Sequence, residues 1–154
     1  PKLRVVRLER NALPNIVDKD TFDINQGFHI LKNGSNACIL SSGYLLQRAL
    51  SVAENSNKSI GVIDLFRVKE IPVSLISELE SYKYIITIEE QCLSGGFGSA
   101  VLEFVCDNNL NIKVTRLGLD EMYFFENGGR DHLLNKYGLS EEDISRAARF
   151  GKKR

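Results

Sequence analysis

The sequence feature best suited to chemistry is a glycine-rich stretch that follows two adjacent carboxylates. Glu89 and Glu90 come at the end of a strand-like apolar run, and a predicted helix begins a few residues later. Backbone N–H groups at the start of a helix have no partner within it and can hold an anion. The sequence therefore predicts an anion-binding or packing turn, and its residues are Gly95, Gly96, Gly98 and Ser99.

Two interpretations of this turn stay open. Gly96-x-Gly98, followed by Asp120 beyond the next predicted strand, imitates a dinucleotide-binding fingerprint, but Val101 stands where the third glycine belongs. In the other interpretation the glycines let a helix pack tightly against the sheet. The missing glycine favours packing over nucleotide binding.

The glutamate pair is not expected to act as an acid/base pair. Successive residues of a strand point to opposite faces, so Glu89 and Glu90 are predicted to face different neighbours. One carboxylate could act as a general acid or base. An interface or helix-capping role is the favoured hypothesis, and no residue is assigned to catalysis.

Arg7 and Arg10 are a second candidate site. In a strand, their spacing of three residues places the two guanidinium groups on opposite faces. One could be a surface charge while the other reaches a neighbouring site, because arginine suits bidentate binding of phosphate. The residues alone favour a surface pair over a phosphate contact.

Other classes of function find little support in the composition. Lys plus Arg equals Asp plus Glu at 20 each, so the basic excess typical of nucleic-acid binding is missing. His29 and His132 are far apart and the three cysteines form no CxxC pair, so neither a metal site nor a disulfide framework is predicted. Cys38 and Cys106 lie in apolar runs and are predicted to be core residues. Free thiols, with no apolar run of membrane-spanning length and no signal-peptide pattern, predict a cytoplasmic protein without a membrane partner.

The elements that must position these residues alternate between strand and helix. Apolar runs bounded by turn residues predict strands, and these lie at residues 28–31, 37–41, 59–65, 84–88 and 111–117. Helical periodicity or helix-start signals lie between most of them, and two helices follow, the second capped by Ser140. This alternation predicts parallel β/α units in a three-layer α/β sandwich. A further short strand is predicted at residues 3–8, and residues 1–154 are expected to form one domain.

The motifs together, in their order and spacing, resemble the C-terminal domain of the transketolase superfamily. The group includes transketolase, deoxyxylulose-phosphate synthase and the beta subunits of 2-oxo acid dehydrogenases. Many members carry a histidine directly after the glutamate pair, and Gln91 stands there instead. The matching segments are Val6 to Pro14, residues 34–43, residues 62–69, Glu89–Glu90 with residues 95–100, Arg116 to Gly118, residues 128–134 and residues 137–144.

The resemblance implies a five-stranded mixed sheet that is mostly parallel, with residues 28–31 as an antiparallel edge strand. Residues 1–26 then form a segment that enters the domain. In the family, thiamine diphosphate and Mg²⁺ lie between a pyrophosphate domain with a GDG motif and a pyrimidine domain. Neither domain has a counterpart here, so this chain is expected to bind neither group and to be inactive alone. Arg10, or as second choice Arg7, matches an arginine that contacts the sugar phosphate in transketolases.

Three hypotheses about function remain. The chain is the C-terminal domain of a ketol-transferring enzyme, the same domain of a 2-oxo acid dehydrogenase beta subunit, or a free-standing nucleotide-binding or regulatory module. In the first, favoured hypothesis, its partners are the pyrimidine and pyrophosphate domains, and the complete enzyme is a homodimer.

Overall fold

The computed structural model describes Glu9 and residues 12–150 of the 154-residue chain. Strands and helices alternate along these residues, and a short 3-10 helix, Gly43–Leu45, precedes the first α-helix. The elements are β1 (His29–Lys32), β2 (Ala37–Ser41), α1 (Leu46–Glu54), β3 (Ile60–Asp64), α2 (Leu75–Leu79), β4 (Tyr84–Cys92), α3 (Phe97–Asp107), β5 (Lys113–Leu119), α4 (Gly129–Lys136) and α5 (Glu141–Phe150).

The five strands form one sheet in the order β1-β3-β2-β4-β5. Strand β1 runs antiparallel to β3, and the other pairs are parallel, with Ala37 opposite both Ile60 and Tyr84. The predicted mixed sheet with an antiparallel edge strand is therefore confirmed. The edge strand begins one residue later than the sequence predicts.

Two apolar cores lie on the two faces of this sheet. Alternate residues of β2 divide between them, with Ile39 packing in one core and Leu40 in the other. Helices α1 and α5 cover the first core, and α2 and α3 cover the second. This arrangement is the predicted three-layer sandwich. At the start of α5 the Asp143 N–H donates to Ser140 Oγ at 3.1 Å, which confirms the predicted cap.

Strand β4 is longer than its apolar run indicates. The prediction ended it at residue 88, but its pairing with β5 continues through an irregularity to Cys92, which lies opposite Leu119. Glu89 and Glu90 therefore lie within the strand, and Gln91 and Cys92 extend it beyond them. The prediction missed this extension because it followed the apolar run, whereas the residues after Ile88 pass from buried Glu89 to exposed Gln91 and Cys92.

Two further predictions have different outcomes. Cys38 is buried as predicted, but Cys106 is exposed. The physical reason is the helical rotation of about 100° per residue, because Val105 already occupies the inward position of α3. The strand predicted at residues 3–8 lies outside the described residues.

Candidate functional site

The carboxylate of Glu89 lies at the N-terminus of α3. Its Oε2 accepts the Phe97 N–H at 2.6 Å, and its Oε1 accepts the Gly98 N–H at 2.8 Å. Glu89 is only 3% exposed, and burial raises the pKa of its carboxyl group, while the two N–H bonds and Arg116 act in the opposite direction. The helix N-terminus therefore already holds an anion, and that anion is supplied by β4.

The three glycines of the turn are needed for different reasons. Gly95 has a φ of +67°, and a Cβ there would meet nothing within 4 Å, so its backbone conformation calls for glycine. At Gly96 a Cβ would lie 2.1 Å from Glu89 Oε2 and 2.4 Å from the Cys92 carbonyl oxygen. At Gly98 it would lie 2.5 Å from Thr87 Oγ1. Close approach to β4 thus accounts for Gly96 and Gly98, while Gly95 serves the turn itself.

Ser99 and Arg116 hold the turn from the other side. Ser99 Oγ donates to the Leu93 carbonyl at 2.7 Å and accepts the Gly95 N–H at 3.2 Å. Arg116 Nη1 donates to the same carbonyl at 2.9 Å and to Ser99 Oγ at 2.8 Å. The donors and acceptors of this turn are therefore largely satisfied within the protein. The contact from Arg116 was not predicted, because Arg116 lies 23 positions from Leu93.

A cleft of about 240 Å³ lies at the carboxyl ends of β2 and β4. The chain passes from β2 to β3 on one side and then returns to β4 on the other, so this is the point where the strand order reverses. Open α/β sheets bind ligands most often at such a point. The cleft is lined by Ser42, Gly43, Leu45, Val68, residues 88–91 and Phe97.

Glu90 faces the opposite side of the sheet from Glu89 and pairs with Arg130 at the start of α4. Arg130 Nε donates to Glu90 Oε1 at 2.6 Å and Nη2 donates to Oε2 at 2.5 Å, which is a bidentate pair. Arg130 Nη1 donates to Glu9 Oε2 at 2.6 Å, and the guanidinium carbon lies 3.8 Å from the centroid of the Tyr44 ring. Hydrogen bonds to Glu90 and Glu9 raise the pKa of Arg130, so the guanidinium group stays protonated.

The Tyr44 ring beneath Arg130 is itself fixed. Its hydroxyl donates to Asp131 Oδ1 at 2.7 Å, and Arg48 Nη2 donates to the same oxygen at 2.7 Å. Arg48 also reaches Asn135 Oδ1 at 2.8 Å and the Leu139 carbonyl at 2.7 Å. The hydrogen bond from Tyr44 lowers the pKa of Asp131, and Arg48 lowers it further. Sequence reasoning assigned none of these residues to a site, since their partners lie more than eighty positions away.

Aromatic side chains project from the segment between β5 and α4. Tyr123 is 85% exposed and Phe125 is 89% exposed. Phe124, which lies between them, packs edge-on against Tyr137, and the two ring centroids are 4.5 Å apart. Tyr137 in turn donates to Glu126 Oε2 at 2.5 Å. The segment is thus anchored at Phe124 and Glu126. The ring centroids of the exposed Tyr123 and Phe125 are 6.3 Å apart.

The predicted phosphate contacts, Arg7 and Arg10, lie outside the described residues. Within the described part of the chain, no group of three or more His, Cys, Asp or Glu side chains is placed to hold a metal ion. The same residues contain no helix long and apolar enough to cross a membrane.

Comparison with known proteins adds the following findings. The family model described as transketolase, C-terminal domain, matches residues 27–144. A 1-deoxy-D-xylulose-5-phosphate synthase of Carboxydothermus hydrogenoformans is 40% identical over 119 residues, which are 75% of this chain and 19% of that protein. A putative transketolase C-terminal section of Methanocaldococcus jannaschii is 29% identical over 147 residues, which are 94% of this chain and 45% of that protein.

A solved structure supports the same family assignment. The structure described as a split gene transketolase, inactive beta4 tetramer, superposes with a TM-score of 0.79 at 27% identity. The match covers 91% of this chain and 46% of that one. The chain thus spans less than half the length of each of these similar proteins.

Proposed function

The chain belongs to the transketolase C-terminal domain family, and from this premise we propose that it is the C-terminal domain of a thiamine-diphosphate-dependent transketolase-type enzyme. The complete enzyme transfers ketol groups between sugar phosphates. This domain contributes packing against the other domains, dimer contacts and a contact to the substrate phosphate, and it does not catalyse the reaction alone.

This proposal rests on one observation: the chain is similar in sequence to a much longer protein, but it matches only part of that protein's length. The chain is 40% identical to a protein named 1-deoxy-D-xylulose-5-phosphate synthase but accounts for only 19% of its length. The same identity favours synthesis of this deoxy sugar phosphate as a second candidate function. Both candidates involve a phosphorylated sugar, so a phosphate contact serves either.

The described residues do not fit thiamine diphosphate and its metal ion. A diphosphate needs free N–H donors or cations, and the N–H groups of Phe97 and Gly98 are taken by Glu89. A magnesium ion bound to diphosphate needs oxygen ligands nearby, and the described part of the chain has no group of three or more His, Cys, Asp or Glu side chains that could hold a metal ion. We therefore assign the cofactor to the pyrimidine and pyrophosphate domains.

The exposed aromatic segment supports packing against another domain. Met122, Tyr123 and Phe125 expose apolar side chains on one anchored segment, and a surface of this kind marks an interaction site. Glu9, close to the N-terminal end of the domain, reaches Arg130 a few residues beyond this segment. The domain that precedes this one in the complete enzyme therefore approaches from the same side, and we assign the aromatic surface to it.

The substrate contact is assigned to Arg10, with Arg7 as second choice. A sugar phosphate carries close to two negative charges, and a guanidinium group can meet two of its oxygens at once. This contact exists in the ground state as well as in the transition state. Its loss therefore mainly raises KM, with less effect on kcat.

The test replaces Arg10 in the complete enzyme. Because a hydrogen bond to a charged group contributes about 1.5–3 kcal/mol, Arg10→Ala is expected to lower kcat/KM roughly ten- to hundredfold for phosphorylated substrates. Arg10→Lys restores only part, because a point charge lacks the planar fork. Steady-state kinetics with matched phosphorylated and unphosphorylated substrates measures the difference. Equal losses for the two substrates would make Arg10 structural, and Arg7 would be replaced next.

A further inference from the structure

The cleft at the carboxyl ends of β2 and β4 has walls that are largely apolar. Leu45 and Ile88 are buried core residues that line it. Two further lining residues are open to solvent, since Phe97 is only partly buried and Val68 is 36% exposed. A group that enters the cleft would remove apolar surface of Val68 and Phe97 from water, which favours its binding.

The cleft is small for a ligand but large enough for one side chain. Its volume is about 240 Å³, whereas small-molecule sites usually hold about 300–1,000 Å³. An apolar cavity of about 150 Å³ is enough to hold a benzene ring. The space therefore suits the ring of a single aromatic side chain.

One wall of the cleft carries a hydrogen-bond acceptor. Glu90 lines the cleft, and each of its carboxylate oxygens accepts one hydrogen bond from Arg130. An ionised carboxylate can accept about four hydrogen bonds, so these two leave acceptor capacity. The Glu90 side chain is 23% exposed and can be reached by a donor. An aromatic ring with a donor at its tip, as in tyrosine or tryptophan, matches apolar walls with one acceptor.

The cleft is continuous with the contact made by the segment that enters the domain. Arg130 binds Glu90 in the cleft wall, and its Nη1 donates to Glu9 Oε2 at 2.6 Å. These groups lie at the edge of the sheet where the parallel strands end. The exposed aromatic segment leaves the same edge, because β5 ends there at Leu119. The domain that precedes Glu9 in the complete enzyme is thus tethered beside the cleft.

We propose that the cleft is a socket for one aromatic side chain of the preceding domain, a tyrosine or tryptophan whose donor reaches Glu90. This inference rests on the function proposed above, because that function supplies the preceding domain. It adds one anchoring point to the aromatic surface of Met122, Tyr123 and Phe125. Aromatic side chains seated in pockets provide much of the binding energy of protein interfaces.

The first test uses p-cresol, the analogue of a tyrosine side chain, as a probe. In the isolated chain it is expected to shift the NMR signals of the Leu45 and Val68 methyl groups, with a dissociation constant on the order of millimolar. Toluene lacks the donor and is expected to bind more weakly. In the complete enzyme the preceding domain fills the cleft, so p-cresol is expected to leave the same signals unchanged.

The second test introduces a charge into the cleft. Val68→Glu is expected to speed limited proteolysis between the domains of the complete enzyme roughly five- to hundredfold, the range for burying a polar group without a partner. Val73→Glu is the matched control, because Val73 lies on the same segment, is 69% exposed and does not line the cleft. It is expected to change the rate less than about twofold. Both variants are expected to keep the melting temperature of the isolated chain, which excludes a loss of folding.

The outcomes separate the socket from the proposed function. The socket is overturned if p-cresol does not bind the isolated chain, if it shifts the same signals in the complete enzyme, or if the two variants speed proteolysis equally. Equal affinities for toluene and p-cresol would overturn the donor to Glu90. A filled cleft in a complete enzyme that transfers no ketol group would contradict the proposed function and leave the socket in place.

Discussion

Neighbouring glycines in the turn before α3 meet different physical demands. Gly95 adopts a left-handed backbone in open space, whereas Gly96 leaves room for the carboxylate of Glu89. Because Glu89 caps α3 through the Phe97 and Gly98 N–H groups, any side chain at residue 96 competes with the cap. Gly95 is therefore required by the backbone conformation, and Gly96 is required by the space that Glu89 occupies.

This difference gives a test of the turn by thermal unfolding. Gly96→Val is expected to lower the melting temperature and to cost about 1–3 kcal/mol, because the new side chain displaces Glu89 or the Cys92 carbonyl. Gly95→Asn is the matched control and is expected to cost less, because asparagine tolerates a positive φ and residue 95 has open space. A Gly96→Val protein that keeps full stability but loses a measurable affinity for a dinucleotide would contradict the packing interpretation.

At the residue scale the sequence predicted the types of chemistry but not the partners. The alternation rule placed Glu89 and Glu90 on opposite faces, and in the structure they contact α3 and Arg130 respectively. Nothing in the local sequence identifies Arg130 as the partner of Glu90, because the two are 40 positions apart. Such pairs arise from the tertiary fold, which brings the start of α4 to the end of β4.

At the element scale, periodicity predicted most strands and helices because the cores on both faces of the sheet impose it. Strand β2 is buried at every position, and its apolar run matched the observed bounds, Ala37–Ser41. The antiparallel edge strand did not come from periodicity but from the family resemblance, and the strand order β1-β3-β2-β4-β5 was not predicted. The end of β4 was missed because its last two residues, Gln91 and Cys92, are exposed, so pairing with β5 rather than apolar burial defines them.

The segment between β5 and α4 provides a prediction at the same scale. Tyr123→Ser combined with Phe125→Ser is expected to leave the melting temperature of this chain within about 1 °C to 2 °C, since exposed side chains contribute little to folding. The same change is expected to weaken packing in the complete enzyme, seen as faster limited proteolysis between the domains. Phe124→Ser is the control, and it is expected to destabilise the chain itself because Phe124 packs on Tyr137. Unchanged proteolysis of the double variant would remove the aromatic surface from the domain interface.

At the scale of the whole molecule, the two positions that the glycine-rich turn and the strand order mark for a ligand are filled or small. The helix N-terminus most suited to an anion is capped by Glu89. The cleft at the strand-order reversal holds about 240 Å³, below the range of about 300–1,000 Å³ that is usual for small-molecule sites. We therefore expect such a domain to fold by itself and to depend on its neighbours for chemistry.

The isolated chain is therefore expected to fold cooperatively but to bind no thiamine diphosphate and to catalyse no ketol transfer. The two apolar cores supply the stability, whereas the cofactor would need diphosphate donors and metal ligands that the described residues do not bring together. Calorimetric titration with thiamine diphosphate and magnesium measures the binding, and thermal unfolding of the same sample shows that the protein is folded. The complete enzyme is the positive control, and it is expected to bind under the same conditions. Saturable binding of the cofactor to the isolated chain with a micromolar dissociation constant would contradict the proposal, because this domain would then hold the cofactor without the two others.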